Sequence, residues 1–426
     1  MSRFVMHDLI NDLALWAAGE TCFRIDKKLD GNINANISYT NLRYISYVRD
    51  LCDGVKRFEG FYDAKLLRAF LPLALPNMAP SYLTYDVLRM VLKLPRLRAL
   101  SLSGYQIFEL PDTFGKLKHL RYLDLSDTEI ETLPKSITTL YNLQTLLVEN
   151  CYRLKKLCED IGSLTRLRHL NNSNVPELEK MPLRIGNLTG LLTLPNFVVG
   201  KCSGSRLEEL KNLKHIRERL CISGLENVNA RIAMKADLNG KRDLNVIVLE
   251  WTSNTGDQRD AGEEKNVLDM LRPHQGLKEL IISGYDGVYF PMWLEDPSFL
   301  NLALLTLENC YSCQILPSVG ELPFLKHLVI KGMARIRSVG KGFYGYSEVS
   351  FPSLETLSFQ DMERWEGWIP HENEEAKGFP HLRELSISRC SKLVGLLPKH
   401  LPSLEKLVIR SCEQLLLWKI FQDPAD

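Results

Sequence analysis

The chain has 426 residues, of which 45% are hydrophobic and 25% are charged, proportions typical of globular domains and unlike those of disordered or collagen-like chains. Because 53 lysines and arginines almost cancel 52 aspartates and glutamates, the net charge of +1 argues against a partner held by overall charge, so neither nucleic acid nor an anionic membrane surface is expected. Charged residues or proline interrupt every leucine-rich stretch before it reaches about 18 apolar residues, so no membrane span is predicted.

Two features favour a cytoplasmic location, with the nucleus as the alternative. Asp8 and Asp12 interrupt the apolar run that a secretory signal needs near the N-terminus. Ten cysteines in a chain of this length are too few for a disulfide framework, which favours a reducing compartment.

The first predicted element is a short amphipathic helix within residues 4–25. Leu9, Leu13 and Trp16 share one helical face, while Asn11 lies on the other, and Gly19 ends the helix. From these residues alone, the segment is a cap that shields the first repeat of a stacked array.

A six-residue pattern, L-x-x-L-x-L, begins at Leu97 and returns after 23, 23 and 24 residues. Each unit has a second half with its own apolar positions, often opened by a Leu-Pro pair such as Leu110-Pro111. Two sub-patterns that keep phase predict regular leucine-rich repeats over residues 95–194. Residues 31–94 are interpreted as a transition segment with the first irregular repeats, and residues 277–426 as the C-terminal repeats.

Residues 195–276 break this regularity and are interpreted as irregular repeats with helices and an acidic loop. Strand-like segments are predicted around Leu220–Leu225 and Leu244–Leu249, and a loose helical pattern covers Leu207–Ile216. The polar run Ser253–Lys265 is predicted to be an exposed loop.

The repeated pattern also predicts the architecture. Alternating side chains within each six-residue core form a short strand whose leucines point inward. One strand with its return segment cannot bury an apolar face alone, so neighbouring coils must stack and share a leucine core. The predicted fold class is α/β: a curved leucine-rich-repeat solenoid with a parallel sheet on its concave face, preceded by a short N-terminal helical remnant.

The cysteines suggest metal or redox chemistry but fit the repeat better. Cys310 and Cys313 form a lone C-x-x-C pair, and no second pair completes four zinc ligands, so no metal is predicted. Cys310 follows the last apolar residue of its strand pattern by three residues, as Cys151, Cys390 and Cys412 do in other units. We expect these thiols to pack into the turn that leaves the strand. No motif places a nucleophile beside a base, so the chain is not expected to be an enzyme.

Outward positions of the predicted strands are the candidate partner-binding residues, because a stacked parallel sheet offers a broad surface to another protein. Aromatic side chains anchor interfaces best, so Tyr122 and Trp251 rank first. Trp365 and Trp368 are instead expected to anchor a loop internally. The alternative for the whole set is a solvated face without a partner. The full set comprises Tyr122, Asp124, Ser126, Asp127, Thr145, Glu149, Trp251, Glu279, Glu308, His327, Lys331, Gln360, Glu384, Lys406 and Arg410.

The sequence resembles one known family. Met6-His7-Asp8-Leu9 resembles the Met-His-Asp motif that ends the nucleotide-binding module of plant NLR disease-resistance proteins. The repeats behind it, with their Leu-Pro return segments and phrases such as Phe290–Leu294 and Leu307–Cys310, resemble the coiled-coil class of that family. The resemblance covers essentially the whole chain and implies that residues 1–30 are the end of that module, in its ARC2 or winged-helix part.

The resemblance also implies a cofactor for the whole family. There the motif histidine lies near the phosphates of bound ADP, which would give that role to His7, with Met6 and Asp8 in the same motif. ADP or ATP would then be the cofactor of the full-length family. This chain contains no G-x-x-x-x-G-K-[ST] loop, so no cofactor is expected for it alone.

By resemblance, the chain is the repeat region of an intracellular immune receptor. Its expected partners are proteins, namely a pathogen effector or a guarded host protein, and the upstream nucleotide-binding module in cis. Two alternatives stay open: a leucine-rich-repeat substrate adaptor of a ubiquitin ligase, and a truncated receptor with no independent activity. An adaptor needs a helical docking module before its repeats, and residues 1–30 are short for one.

Overall fold

The computed structural model describes residues 21–25, 39–73, 79–201, 207–252, 260–369, 378–395, 397–398 and 400–415. The predicted N-terminal helix, which ends at Gly19, and the motif Met6–Asp8 lie outside this part. The chain divides into two compact units, Met1–Pro195 (unit 1) and Asn196–Asp426 (unit 2), and each has its own long parallel sheet.

Unit 1 contains a seven-stranded parallel sheet in the order β1-β2-β4-β6-β7-β8-β9, while β3 pairs with β5. The strands are β1 (Cys22–Ile25), β2 (Tyr44–Val48), β3 (Cys52–Asp53), β4 (Ala69–Leu73), β5 (Tyr82–Leu83), β6 (Ala99–Ser101), β7 (Tyr122–Asp124), β8 (Thr145–Leu147) and β9 (His169–Asn171). The helices are α1 (Val55–Phe58), α2 (Tyr85–Val91) and short 3₁₀ helices at Tyr39–Asn41, Glu59–Asp63, Asp112–Lys116, Lys135–Thr139, Ile161–Ser163 and Ile185–Asn187.

Unit 2 contains a nine-stranded parallel sheet in the order β10-β11-β12-β13-β14-β15-β17-β19-β20, while β16 pairs with β18. The strands are β10 (Asn196–Val198), β11 (Glu218–Ser223), β12 (Leu244–Glu250), β13 (Glu279–Ser283), β14 (Leu304–Glu308), β15 (His327–Lys331), β16 (Ser338–Val339), β17 (Thr356–Gln360), β18 (Gly367–Trp368), β19 (Glu384–Ser388) and β20 (Lys406–Arg410). The helices are α3 (Ala230–Met234), α4 (Ala261–Met270), α5 (Lys341–Tyr344) and 3₁₀ helices at Leu207–Asn212, Leu225–Asn227, Met292–Glu295 and Val319–Glu321.

The leucines of successive repeats form the core of unit 1. Leu100, Leu123, Leu146 and Leu170 lie in register on β6 to β9, and each is fully buried. Burying one leucine side chain completely contributes about 1.5–3 kcal/mol, so the shared column stabilises every neighbouring pair of coils. Together with the parallel sheets, this confirms the predicted leucine-rich-repeat fold.

The return segments follow from the Leu-Pro pairs. Pro111 and Pro134 are extended, with φ of −70° and −66°, and each is followed at once by a 3₁₀ helix. Proline suits this place because its φ is fixed and it has no N–H to satisfy before the first helical turn. Each 3₁₀ helix then buries one apolar side chain, Phe114 or Ile137, against the leucine core.

A left-handed residue follows each regular strand of unit 1. Gly104, Asp127, Asn150 and Asn174 have φ of 73°, 57°, 58° and 55°. Glycine has no Cβ penalty in this region, and aspartate and asparagine tolerate it better than other side chains. These residues turn the chain out of the sheet at the same place in every coil.

A buried polar cluster joins the irregular first coils to the regular ones. Asp53 is fully buried, forms an ion pair with Arg57 and accepts a 2.5 Å hydrogen bond from the Tyr105 hydroxyl. The hydroxyl oxygens of Tyr105 and Tyr47 lie 3.0 Å apart, within hydrogen-bond distance of each other. A buried carboxylate needs such partners, because leaving it unpaired costs several kcal/mol, on the order of its desolvation.

One segment of unit 2 differs from its prediction. The exposed loop expected over Ser253–Lys265 ends earlier, because α4 begins at Ala261; residues 253–259 lie outside the described residues. Asp260 is the N-cap, and its carboxylate accepts from the backbone N–H groups of Gly262 at 2.9 Å and Glu263 at 3.4 Å. Acidic residues are common in exposed loops, but acidic side chains also favour the first turn of a helix.

Candidate protein-binding surface

Tyr122 and Asp124 lie on the outward face of β7 and are half-buried. The Asp124 carboxylate accepts from the Ser101 hydroxyl at 3.0 Å and the Ser126 backbone N–H at 3.0 Å. Burial, followed by the Asp124 charge, raises the pKa of Tyr122. The phenol therefore stays protonated, and its ring is available on the outward face as an aromatic contact.

Ser126 does not face outward as expected. Its exposed fraction is 8%, and it lies in the turn after β7, where its backbone carbonyl accepts from the Gly104 N–H at 2.9 Å. β7 ends at Asp124, so strand alternation no longer applies two residues later. The prediction for Ser126 is therefore wrong.

Thr145, Glu149 and Asp127 are accessible on the same side of unit 1. Glu149 accepts from the Asn171 amide at 2.9 Å. Asp127 accepts from the Asn150 amide at 2.8 Å, and Asn150 in turn accepts from the next coil. These side chains belong to a hydrogen-bonded polar ladder rather than to a set of free groups.

The proposed anchor Trp251 is buried. Its exposed fraction is 2%, and its ring meets Tyr285 edge to face at a centroid distance of 5.4 Å. The reason is strand phase: β12 continues to Glu250, with Leu249 inward and Glu250 outward, so the next side chain points into the core again. Trp251 cannot contact a partner, and the outward residue at this place is Glu250.

The other predicted residues of unit 2 do lie on the outward face of its sheet. Register partners on neighbouring strands form two rows on this face, which we call the outer columns. The first runs through the first outward residue of each strand, where Lys406 pairs with Glu384 at 2.7 Å. A second outer column runs through the last outward position. The outer columns contain Glu279, His327, Glu384, Lys406, Glu308, Lys331, Gln360 and Arg410.

The residues missed from the sequence are apolar ones, some in the first outer column and others between the two columns. Val248 of β12 lies opposite Ile281 of β13. Val329 of β15 lies in the same row, two strands beyond Ile281. Val246 and Leu304 lie diagonally next to Ile281. We call these five residues, Val246, Val248, Ile281, Leu304 and Val329, the apolar strip. Four of them are only half-buried although they are apolar.

Three carboxylates lie beside the apolar strip. Glu279 lies between Val246 and Leu304 in the first outer column, and Glu250 and Glu308 lie in the second outer column. The sequence signal for the strip was present, since Ile281 and Val329 occupy outward x positions of L-x-x-L-x-L. A prediction that uses polar side chains to mark the outward face leaves these apolar positions out.

The cysteines lie where the repeat pattern predicts. Cys151 and Cys390 are fully buried, and their thiols donate to the carbonyl oxygens of Leu125 at 3.1 Å and Ser388 at 3.4 Å. Burial raises the pKa of Cys390 to about 12, so the thiol stays protonated. Within the described residues, no group of three or more metal-ligating side chains comes together. Trp365 and Trp368 are also buried, as expected for internal anchors.

Comparison with known proteins agrees with this architecture. Residues 207–333 match a family model described as R13L1/DRL21 LRRs, and residues 95–152 match the leucine rich repeat model. A putative disease resistance protein of Arabidopsis thaliana is 42% identical over 97% of the chain and 29% of its own length. Putative disease resistance RPP13-like protein 1 of the same plant is 40% identical over 96% of the chain and 40% of its own length.

The chain belongs with the leucine-rich-repeat regions of plant NLR disease-resistance proteins of the coiled-coil class. Disease resistance protein RGA2 of Solanum bulbocastanum is a further relative, 33% identical over 91% of this repeat region and 36% of its own length. The repeat region thus spans between 29% and 40% of the length of these relatives, and the nucleotide-binding part of the family lies outside it.

Among solved structures, the functional domain of InlJ from Listeria monocytogenes resembles the repeat region with a TM-score of 0.53 and 17% identity, covering 82% of this chain and 64% of that one. At that identity the likeness supports the fold alone. A search of the described helices finds none that is long and apolar enough to cross a membrane.

Proposed function

We propose that this chain is the protein-recognition and autoinhibitory repeat region of an intracellular plant immune receptor and has no catalytic activity of its own. The observation that carries the recognition part is the apolar strip on the outward face of unit 2. The similarity to plant disease-resistance proteins is the reason for placing this recognition in an immune receptor. We place this activity in the cytoplasm, with the nucleus as the alternative location.

The chemistry of the strip defines the partner. Protein interfaces combine an apolar centre with a polar rim, and here Val246, Ile281 and Leu304 lie beside the carboxylates of Glu279 and Glu308. The fitting partner is a protein whose docking surface has an apolar patch next to basic side chains. A pathogen effector or a guarded host protein is the source that the family suggests.

The remaining outward residues set specificity in this proposal. Polar groups that are already oriented by neighbours lose little freedom on binding, as Asp124 illustrates through its bonds to Ser101 and Ser126. The contributing residues are Tyr122, Asp124, Asp127, Thr145, Glu149, Glu279, Glu308, His327, Lys331, Gln360, Glu384, Lys406 and Arg410.

The second partner in this proposal is the upstream nucleotide-binding module, held in cis. That module would bind ADP or ATP, and His7 of the Met-His-Asp motif would contribute only when the module is present. Mixing the repeat region with the separately expressed nucleotide-binding part of RPP13-like protein 1 should give a complex at low salt. Failure of the two to co-purify would remove the autoinhibitory half of the proposal.

Site-specific photo-crosslinking tests recognition. A photoreactive amino acid at Ile281 should give a discrete crosslinked protein in challenged plant cells, and the same amino acid at exposed Arg231 of α3 should not. Charge reversal by Glu279→Lys with Glu308→Lys should abolish that product, because the rim then repels a basic partner. The matched reversal Glu109→Lys with Glu159→Lys, at exposed sites of unit 1, should leave it unchanged. Equal products at positions 281 and 231 would contradict recognition by the strip.

A further inference from the structure

Three arginines converge on a surface pocket of unit 2 that the recognition surface does not include. The pocket has a volume of about 390 Å³ and is lined by Gln314, Ile315, Arg335, Arg337, Ser338 and Arg364. Three coils supply these residues. Arg335, Arg337 and Arg364 are all exposed at its wall, so their guanidinium groups are available to a ligand.

The backbone around the pocket is locked. β16 pairs with β18, with Ser338 opposite Gly367, and the Glu366 N–H donates to the Arg337 carbonyl at 2.7 Å. Ile336, between Arg335 and Arg337, and Trp365, next to Arg364, are fully buried. Because these two side chains point into the core, the neighbouring arginines point to the surface. The arginine Cα positions are therefore set by the core and not by the arginines themselves.

This locking places like charges next to each other. The Val394 N–H donates to the Glu366 carbonyl at 3.0 Å, as Glu366 does to Arg337, so these three residues are aligned across three coils. Arg335, Arg364 and Lys392 each lie two residues earlier in those coils. Neighbouring coils are separated by about 4.8 Å, and like charges at facing positions destabilise a sheet.

The structure offers these charges no compensating partner among the residues it describes. Glu366, which faces Arg337, and Glu363, which precedes Arg364, form no ion pair within 4.0 Å with the arginines. Other basic residues of unit 2 do have such partners: Lys326 pairs with Glu355, Arg389 with Asp361 and Lys406 with Glu384. An accumulation of cations that the fold leaves uncompensated is a feature of sites that bind anions.

We propose that this pocket, which we call the arginine pocket, binds a small molecule carrying at least two phosphate groups. Arginine is suited to this ligand because its planar fork makes paired hydrogen bonds to phosphate oxygens. Gln314 and Ser338 add uncharged hydrogen-bonding groups at the wall. The volume lies within the range of small-ligand sites, about 300–1,000 Å³, and is ample for a diphosphate.

Titration calorimetry with inorganic pyrophosphate tests this site on the full chain. Arg335→Gln with Arg364→Gln should weaken binding by about tenfold or more, because two charge-assisted contacts are lost. The control Arg231→Gln with Arg242→Gln removes the same charge from exposed positions away from the pocket and should bind as the wild type does. Circular dichroism of all three proteins should coincide, since every substituted side chain is exposed.

Two further ligands identify the class of anion. Sulfate, with one anionic group, should bind more weakly than pyrophosphate. A hexaglutamate peptide, added at the same concentration of negative charge, should not displace pyrophosphate. Absence of pyrophosphate binding to the wild type would overturn the proposal, as would an equal loss of binding in both double variants. Tight binding of the acidic peptide without binding of pyrophosphate would overturn the phosphate assignment.

Discussion

Ile281 of β13 lies directly opposite Val248 of β12, and both side chains point to the outward face of the unit 2 sheet. Val248 is nevertheless buried, with an exposed fraction of 7%, whereas Ile281 is only half-buried. In the proposed function, Ile281 is therefore the member of this pair that a partner would contact.

The leucine column makes a stability prediction. Leu123→Ala should lower the free energy of unfolding by about 2–5 kcal/mol, because it removes buried methyl groups and leaves a cavity between two coils. Denaturant titration measures this loss. The neighbouring exposed substitution Arg121→Ala should change the value by about 0.5 kcal/mol or less, and equal effects of the two would contradict the shared core.

Trp251 makes a prediction that separates structure from binding. Trp251→Ala should cost about 3–5 kcal/mol of unfolding free energy, since it empties a buried site beside Tyr285. Trp251→Phe should lose less and should leave partner crosslinking at position 281 intact. A phenylalanine variant that is as stable as the wild type but no longer crosslinks would restore Trp251 to the interface.

The left-handed turn at Asn150 reverses the usual preference for alanine over glycine. Both Asn150→Ala and Asn150→Gly lose the amide contacts to Asp127 and Asn174. Only alanine also carries the steric cost of φ near 58°, about 1–2 kcal/mol. The alanine variant should therefore have the lower unfolding midpoint; a midpoint equal to or above that of the glycine variant would contradict the turn geometry.

Lys241 makes stability depend on pH. Its ammonium group is buried and donates to the carbonyl oxygens of Leu210 at 2.6 Å and Leu213 at 3.2 Å, and burial lowers its pKa from 10.5 to about 8. Below about pH 8 the Lys241 side chain stays protonated, so the folded chain keeps a positive charge buried. As the pH rises from 8 towards 10.5 the unfolded chain holds more protons than the folded one, so stability increases.

The measurement for Lys241 is a comparison with Lys241→Met. The unfolding free energy of the wild type minus that of the variant should rise by about 1–2 kcal/mol between roughly pH 7.5 and 9.5. Taking the difference removes the titration of other groups common to both proteins. A difference that stays flat or falls over this range would show that the lysine is not kept buried as a cation.

How much the sequence predicted depended on periodicity. The leucine column and the position three residues after the strand pattern, where several cysteines lie, both recur with the repeat. One pattern therefore predicted both. Trp251 and Ser126 were misplaced because alternation holds only inside a strand, and the sequence does not show that β12 runs to Glu250 or that β7 stops at Asp124.

Other features depend on neighbours that are distant in sequence. The arginine pocket exists because Arg337 and Glu366, 29 positions apart, share one hydrogen-bonded row. The buried Asp53 acquires its partner Tyr105 from a coil 52 positions away. The 29-residue spacing equals the step from His327 of β15 to Thr356 of β17, but the strand pattern does not specify which side chains meet in the segments between the strands.

The most direct test of recognition by the apolar strip measures binding and stability on the same sample. Ile281→Glu with Val329→Glu places charge on the outward face without touching the leucine core. The account predicts that affinity for the protein crosslinked at position 281 falls by about tenfold or more while the unfolding free energy stays within about 1 kcal/mol of the wild type. Unchanged affinity, or a loss of affinity that only accompanies unfolding, would contradict it.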